Sequence, residues 1–264
     1  MSQGGRFAFR THAELGLEGP EAATLWEYGC RGVAEEGREV IGYFDHPIEL
    51  PLRGRWLELA DEDYLERYYR ELEPVLAGTL VVAPTHRQAT LSAGQKPLWI
   101  DPGMAFGTGH HETTRLALEA LCELDLERRA VLDVGAGSGI LAIAADLLGA
   151  RESRGIDIDP ETVPIARANA ALNRSRAQFE PGTLDEAHSA DVVVANLHAE
   201  LHVELAAAYA RATLPNGHLL LTGILGDRTA MVEEALRDSF ELHGWSEAGE
   251  WRLLHARRSG AEGR

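Results

Sequence analysis

The chain has 264 residues, enough for one large domain or a medium one with a small companion, and 45% of them are hydrophobic. Its net charge of −17 argues against a nonspecific nucleic-acid binder, which would present lysine and arginine stripes, and favours a small cation or a basic protein as partner. No stretch approaches the length of a membrane span, the first residues lack a secretory apolar core, and Cys30 and Cys122 read as buried reduced thiols, so a cytoplasmic protein is expected.

Taken in chain order, residues 6 to about 75 show no regular strand–helix alternation. Arg6–Arg10 alternates like a strand, a helix pattern follows Pro20 as far as Cys30, and Glu39–Phe44 reads as a second strand. Asp61–Leu72 reads as a charged, tyrosine-rich helix opening on an acidic turn. A small α/β sandwich domain over 1–75 is therefore expected. Residues 76–97, with Pro84, Gly94 and Pro97, read as a linker holding one short strand at Leu80–Ala83. From residue 98 to 264 strands and helices alternate regularly, with strands near 130–134, 153–158, 177–180, 191–196, 217–223, 240–245 and 251–257. Helices are predicted near 112–124, 139–148, 160–172, 199–211 and 227–238. This rhythm predicts a doubly wound, Rossmann-like α/β sheet of seven strands, the last two forming an antiparallel hairpin because no crossover helix fits between them.

The run Val131-Leu132-Asp133-Val134-Gly135-Ala136-Gly137-Ser138-Gly139-Ile140 is a strand, a glycine turn and a helix start. Asp157 ends the next predicted strand 22 residues after Gly135, well placed to accept hydrogen bonds from a ribose diol. A dinucleotide site needs a third glycine where Ile140 stands, and Asp133 would repel a pyrophosphate while suiting a cation. These residues argue against a nicotinamide-dependent oxidoreductase. The pattern D-x-G-x-G-x-G resembles the first motif of class I S-adenosylmethionine-dependent methyltransferases, whose cofactor carries an ammonium, a sulfonium and a ribose diol. That places Asp133, Gly135, Gly137 and Asp157 in the cofactor site. Asn196, at the end of Val192-Val193-Val194-Ala195-Asn196-Leu197-His198, would stand beside the reacting centre, unless it is only a turn or helix-cap residue.

Residues 101–114, DPGMAFGTGHHETT, hold three glycines within seven positions and two apolar residues with no obvious core to fill. They read as a flap over the cofactor, with Phe106 covering it, Gly107 and Thr108 in contact with it, and Thr113 and Thr114 presenting hydroxyls from the next helix start. A structural loop packed on the linker is the alternative. Together with DVGAGSGILAIAA and VVVANLHAELH, this run closely resembles the ribosomal protein L-eleven methyltransferase family. The resemblance covers residues 98 to about 225 and implies S-adenosylmethionine contacts at Thr114, Gly135, Asp157 and Asn196, with Phe106 near the methyl group. It also implies that the first 75 residues recognise the substrate and that the acceptors are lysine side chains and the α-amine of a basic ribosomal protein.

The residues themselves agree with an amine. Enzymes that methylate flat nitrogens often carry Asn-Pro-Pro-aromatic at this strand end, and Asn196-Leu197-His198-Ala199 has neither the prolines nor the ring. Phe106 and Leu197 would desolvate the ammonium, and His110, His111 or His198 are candidate proton acceptors. His198 and His202 lie four apart, as in zinc sites, but the glutamate of the zinc-protease motif is displaced to Glu200, so no metal is expected. Trp26 and Trp56 are read as core before recognition surface. A monomer is expected, acting on the free ribosomal protein before it meets anionic RNA.

Overall fold

A computed structural model of the chain describes residues 6–13, 16, 19–30, 32–44, 46–59, 72–85, 87, 89–101 and 109–260. The chain divides into two units, Met1–Leu72 and Glu73–Arg264. The predicted helix 61–72 and the flap residues 102–108 fall almost wholly outside the described residues.

In the first unit, strands β1 (Arg6–His12), β2 (Gly32–Glu36), β3 (Glu39–Phe44) and β4 (Gly54–Leu59) form an antiparallel sheet in the order β2-β3-β1-β4. Helix α1 (Pro20–Glu27) starts on a proline, whose fixed φ and missing N–H suit a first helical position. Leu25 from α1 packs with Phe9, Val40 and Phe44. Trp56 joins this core, its ring 5.1 Å from Phe9 and 5.2 Å from Phe44, whereas Trp26 is 55% exposed. The sequence pattern reveals neither β2 nor β4. Both are edge strands, whose half-solvated residues blunt the apolar alternation.

The second unit corrects the expected linker. Residues 76–97 belong to a three-stranded sheet of β5 (Val75–Ala77), β6 (Leu80–Ala83) and β7 (Lys96–Trp99). Ala77, Leu80, Val82 and Leu98 are fully buried in the same core cluster as Leu118 and Ile143. Pro97 is tolerated because β7 is an edge strand. Polar loop residues around few but deeply buried apolar ones made the segment look like a tether.

The main sheet matches the expected class. Strands β8 (Ala130–Val134), β9 (Glu152–Asp157), β10 (Gln178–Pro181), β11 (Ala190–Asn196), β12 (Thr213–Leu225), β13 (Phe240–Ala248) and β14 (Trp251–Arg258) lie in the order β10-β9-β8-β11-β12-β14-β13. The pairs among β10, β9, β8, β11 and β12 are parallel, and β14 is antiparallel to both β12 and β13. Helices α2 (Glu112–Glu123), α3 (Ile140–Leu147), α4 (Thr162–Leu172), α5 (Ala199–Ala212) and α6 (Thr229–Leu236) alternate with the strands. Val192 and Val194 face one core, Val193 and Ala195 the other. A strand covered on both faces reads as an unbroken apolar run, which is why β8 and β11 stand out in the sequence. Strand order reverses between β8 and β11, and their carboxyl ends frame the crevice where such sheets bind ligands. Among the described residues no helix is long and apolar enough to cross a membrane.

Candidate functional site

The glycine turn follows β8. Gly135 has φ 72°, the left-handed region that an L side chain rarely enters, and a Cβ there would stand 2.8 Å from Leu197 Cδ2. Gly139, at φ 81°, caps α3, and its Cβ would meet Phe179 at 2.7 Å. The first glycine thus admits Leu197 and the last admits the strand beneath. Both amides of Gly135 and Ala136 donate to Ile156 O on β9, at 2.9 and 3.0 Å.

Asp157 braces this turn. Its Oδ2 accepts from Gly137 N at 2.8 Å and its Oδ1 from Asp159 N at 3.0 Å. Each oxygen keeps a further lone pair for a hydroxyl donor. Ile158 follows, 81% exposed. An apolar side chain so exposed beside a carboxylate with free lone pairs is able to pack on a flat ring. Sequence reasoning missed it, although the signal, an aliphatic residue directly after the strand-ending acid, was present.

Asp133 is buried beneath the turn. Its Oδ2 accepts from Ala142 N at 3.1 Å, in the first turn of α3, while its Oδ1 is buried with no partner. Burial pushes its pKa to about 7, and the nearby charge of Asp157 adds to the rise. Carboxyls with strongly shifted pKa values cluster at functional sites.

The start of α2 closes the crevice from the other side. His111 is its N-cap, with Nδ1 accepting from Thr113 N at 3.4 Å and lying 2.8 Å from Thr113 Oγ1. Thr113 and Thr114 are buried, and Asn196 Nδ2 donates to Thr114 Oγ1 at 3.3 Å. The structure therefore joins Thr113, Thr114, Asn196, Leu197 and Gly135 directly, while Asp157 reaches the same turn through Gly137. Phe106, Gly107 and Thr108 lie outside the described residues.

Beyond Asn196 a cleft of about 360 Å³ opens, lined among others by His111, Thr113, Leu197, Glu200 and Trp251. Trp251 meets His111 edge-on, with ring centroids 5.1 Å apart. On the rim, Glu200 lies 3.3 Å from His198 Nδ1 and 3.4 Å from Arg228 Nη1. Its own backbone amide and these two neighbours hold its carboxyl below the usual range. Trp251 was predicted only as a strand residue; nothing local distinguishes it from core. His198 caps α5, accepting from Leu201 N at 3.3 Å, and His202 is committed inside the fold, so the two imidazoles do not converge. Among the described residues no group of three histidine, cysteine or acidic side chains is arranged to hold a metal.

The model of the ribosomal protein L11 methyltransferase (PrmA) family matches residues 28–259. The chain belongs to this family. It is 47% identical over 252 residues to the ribosomal protein L11 methyltransferase of Deinococcus radiodurans, covering 89% of this chain and 92% of that one. With the Thermus thermophilus protein of the same name it shares 46% identity over 253 residues, covering 94% and 98%. Among solved structures it resembles the ribosomal protein L11 methylase of Lactobacillus delbrueckii subsp. bulgaricus, with a TM-score of 0.64 and 33% identity over 69% of this chain and 95% of that one. The span matched by the PrmA family holds every residue of the crevice and cleft, whereas β1 and α1 precede it.

Proposed function

We propose that the chain transfers methyl groups from S-adenosylmethionine to amines of ribosomal protein L11, both lysine side chains and the N-terminal α-amine. The observation that carries this reading is the joining of the glycine turn to the cleft through Leu197, which rests on Gly135 at one end and lines the cleft at the other.

The donor set fits the cofactor. Asp157 offers lone pairs to a ribose diol, Ile158 a face to the adenine, and the partnerless Asp133 oxygen a negative potential toward a cationic methionine end. The bound cofactor supplies a methyl group on a positively charged sulfur. The protein's own work is on the acceptor. A lysine ammonium, with an ordinary pKa near 10.4, is neutral in only about one molecule in 2,500 at pH 7. Glu200 draws the cation to the rim, and the apolar walls of Leu197 and Trp251 favour the uncharged amine farther in. Its proton leaves to water at the rim, and the remaining contribution is alignment of nitrogen, methyl and sulfur. No aromatic clamp follows Asn196, in keeping with a tapering alkylamine.

In this reading the second unit is catalytic and the first recognises the substrate. The chain acts as a monomer, without contacting nucleic acid, in the cytoplasm. Methyl-labelled S-adenosylmethionine incubated with isolated L11 should label it, and L11 with all amines acetylated should take no label. Equal labelling of the acetylated protein would remove the amine assignment. No labelling of either would remove the substrate.

A further inference from the structure

The strand end that carries Asn196 and Leu197 rests on a buried polar chain with no role in the chemistry described so far. His202, on the first turn of α5, is fully buried, as is Tyr209 two turns further along the same face. His202 Nε2 lies 2.9 Å from Thr222 O, and its Nδ1 lies 3.0 Å from Tyr209 Oη. A carbonyl only accepts, so Nε2 carries the proton and Nδ1 accepts from the phenol. The same Thr222 O accepts from Leu197 N at 3.0 Å. One carbonyl therefore holds both the imidazole and the acceptor loop.

We infer that His202 is a positioning residue for methyl transfer, setting Leu197 and the Asn196 turn against the glycine turn through Thr222. The geometry leaves Leu197 little freedom. Its Cδ2 occupies the space that a Cβ on Gly135 would need, and its carbonyl oxygen lies 2.3 Å from where a Cβ on Gly223 would stand. Thr222 Oγ1 reaches Thr113 O at 3.4 Å and Arg252 O at 3.3 Å, so a shift of Thr222 is also felt at the start of α2 and beside Trp251. Both ring nitrogens of His202 are engaged away from solvent, which excludes it as a proton acceptor for the amine. Burial depresses the ring's pKa to about 4, so the neutral tautomer persists at neutral pH.

Removing the ring would leave Tyr209 Oη buried without a partner and Thr222 O with one donor, and the strand end would relax. A displacement of about 1 Å at the reacting groups is worth roughly a hundredfold in rate. The inference rests on the reading that Asn196 and Leu197 flank the reacting atoms. The test compares wild type, His202→Leu, His202→Gln and Tyr209→Phe by melting temperature, affinity for S-adenosylhomocysteine, and kcat and KM on L11 below every melting point. His202→Leu should lose kcat about a hundredfold while S-adenosylhomocysteine affinity and KM stay within about threefold. His202→Gln, whose amide can donate to Thr222 O, should recover most of kcat, and Tyr209→Phe should fall between. A folded His202→Leu with wild-type kcat would overturn the inference, as would His202→Gln impaired as deeply as His202→Leu. If His202→Leu fails to fold, full kcat in Tyr209→Phe together with a loss in His202→Gln that tracks melting temperature alone would overturn it. Absence of turnover in the wild type sinks the functional reading instead.

Discussion

At the scale of single residues, the buried carboxyl of Asp133 makes stability depend on pH. Its carboxyl titrates near pH 7 in the fold and near 3.8 in the unfolded chain, so the folded state holds an extra proton between those values. Its contribution to stability is complete below pH 4 and is lost as pH rises through 7, a difference of at most about 4 kcal/mol. Asp133→Asn, isosteric and uncharged, should melt higher than wild type at pH 8, with the gap closing toward pH 4, and should bind S-adenosylhomocysteine more weakly. Thermal melts across pH and calorimetric titration check this; equal melting temperatures at pH 8 would contradict the buried-charge account. Gly135→Ala should cost about 1–2 kcal/mol for its left-handed backbone alone and weaken cofactor affinity, because a methyl in the glycine turn blocks close approach of a ligand to the backbone. Chemical denaturation with a parallel binding titration separates the two losses.

At the scale of elements, the crevice depends on ties that run between secondary structures. Asn169, in the last turn of α4, and Asn173, its C-cap, fasten the end of β7. Asn173 accepts from Trp99 N at 2.8 Å and donates to Trp99 O at 2.6 Å, while Asn169 accepts from Asp101 N at 2.9 Å and donates to Ser138 O at 2.9 Å. Asn169 is buried and links the glycine turn to the strand that leads into residues 102–108. Asn169→Ala should destabilise by about 2–3 kcal/mol, because it strands buried backbone groups, and should lower cofactor affinity although it touches no cofactor atom. A urea midpoint unchanged from wild type would contradict the tie. These links explain what the sequence could and could not reveal. Strands β8 and β11 were legible because two-sided burial writes a continuous apolar run, and Asp157 because its distance from Gly135 is set by one crossover. The edge strands β2, β4, β5 and β7 were not, since their polar face dilutes the pattern. Asn169 and Trp251 look like ordinary helix or strand residues, and His202 stands out only by its spacing from His198, until the topology brings them to one end of the sheet.

At the scale of the whole molecule, a charge of −17 predicts long-range attraction for a basic substrate. Long-range attraction speeds encounter and is screened at a Debye length of about 8 Å at physiological salt. Raising the ionic strength should lower kcat/KM for L11 several-fold while leaving affinity for S-adenosylhomocysteine nearly constant, since in the proposed site short hydrogen bonds and apolar contacts would hold the cofactor. Initial rates over a salt series test this. A salt-independent kcat/KM would mean that shape alone recruits the substrate. The same charge predicts slower modification of L11 already assembled on RNA than of the free protein.

The most direct test of the central claim is a crystal structure of the chain with S-adenosylhomocysteine. The ribose hydroxyls should lie on Asp157, the base against Ile158, and the sulfur should face the cleft of Leu197, Glu200 and Trp251. A sulfur turned away from that cleft, or a ribose held elsewhere than at Asp157, would contradict it.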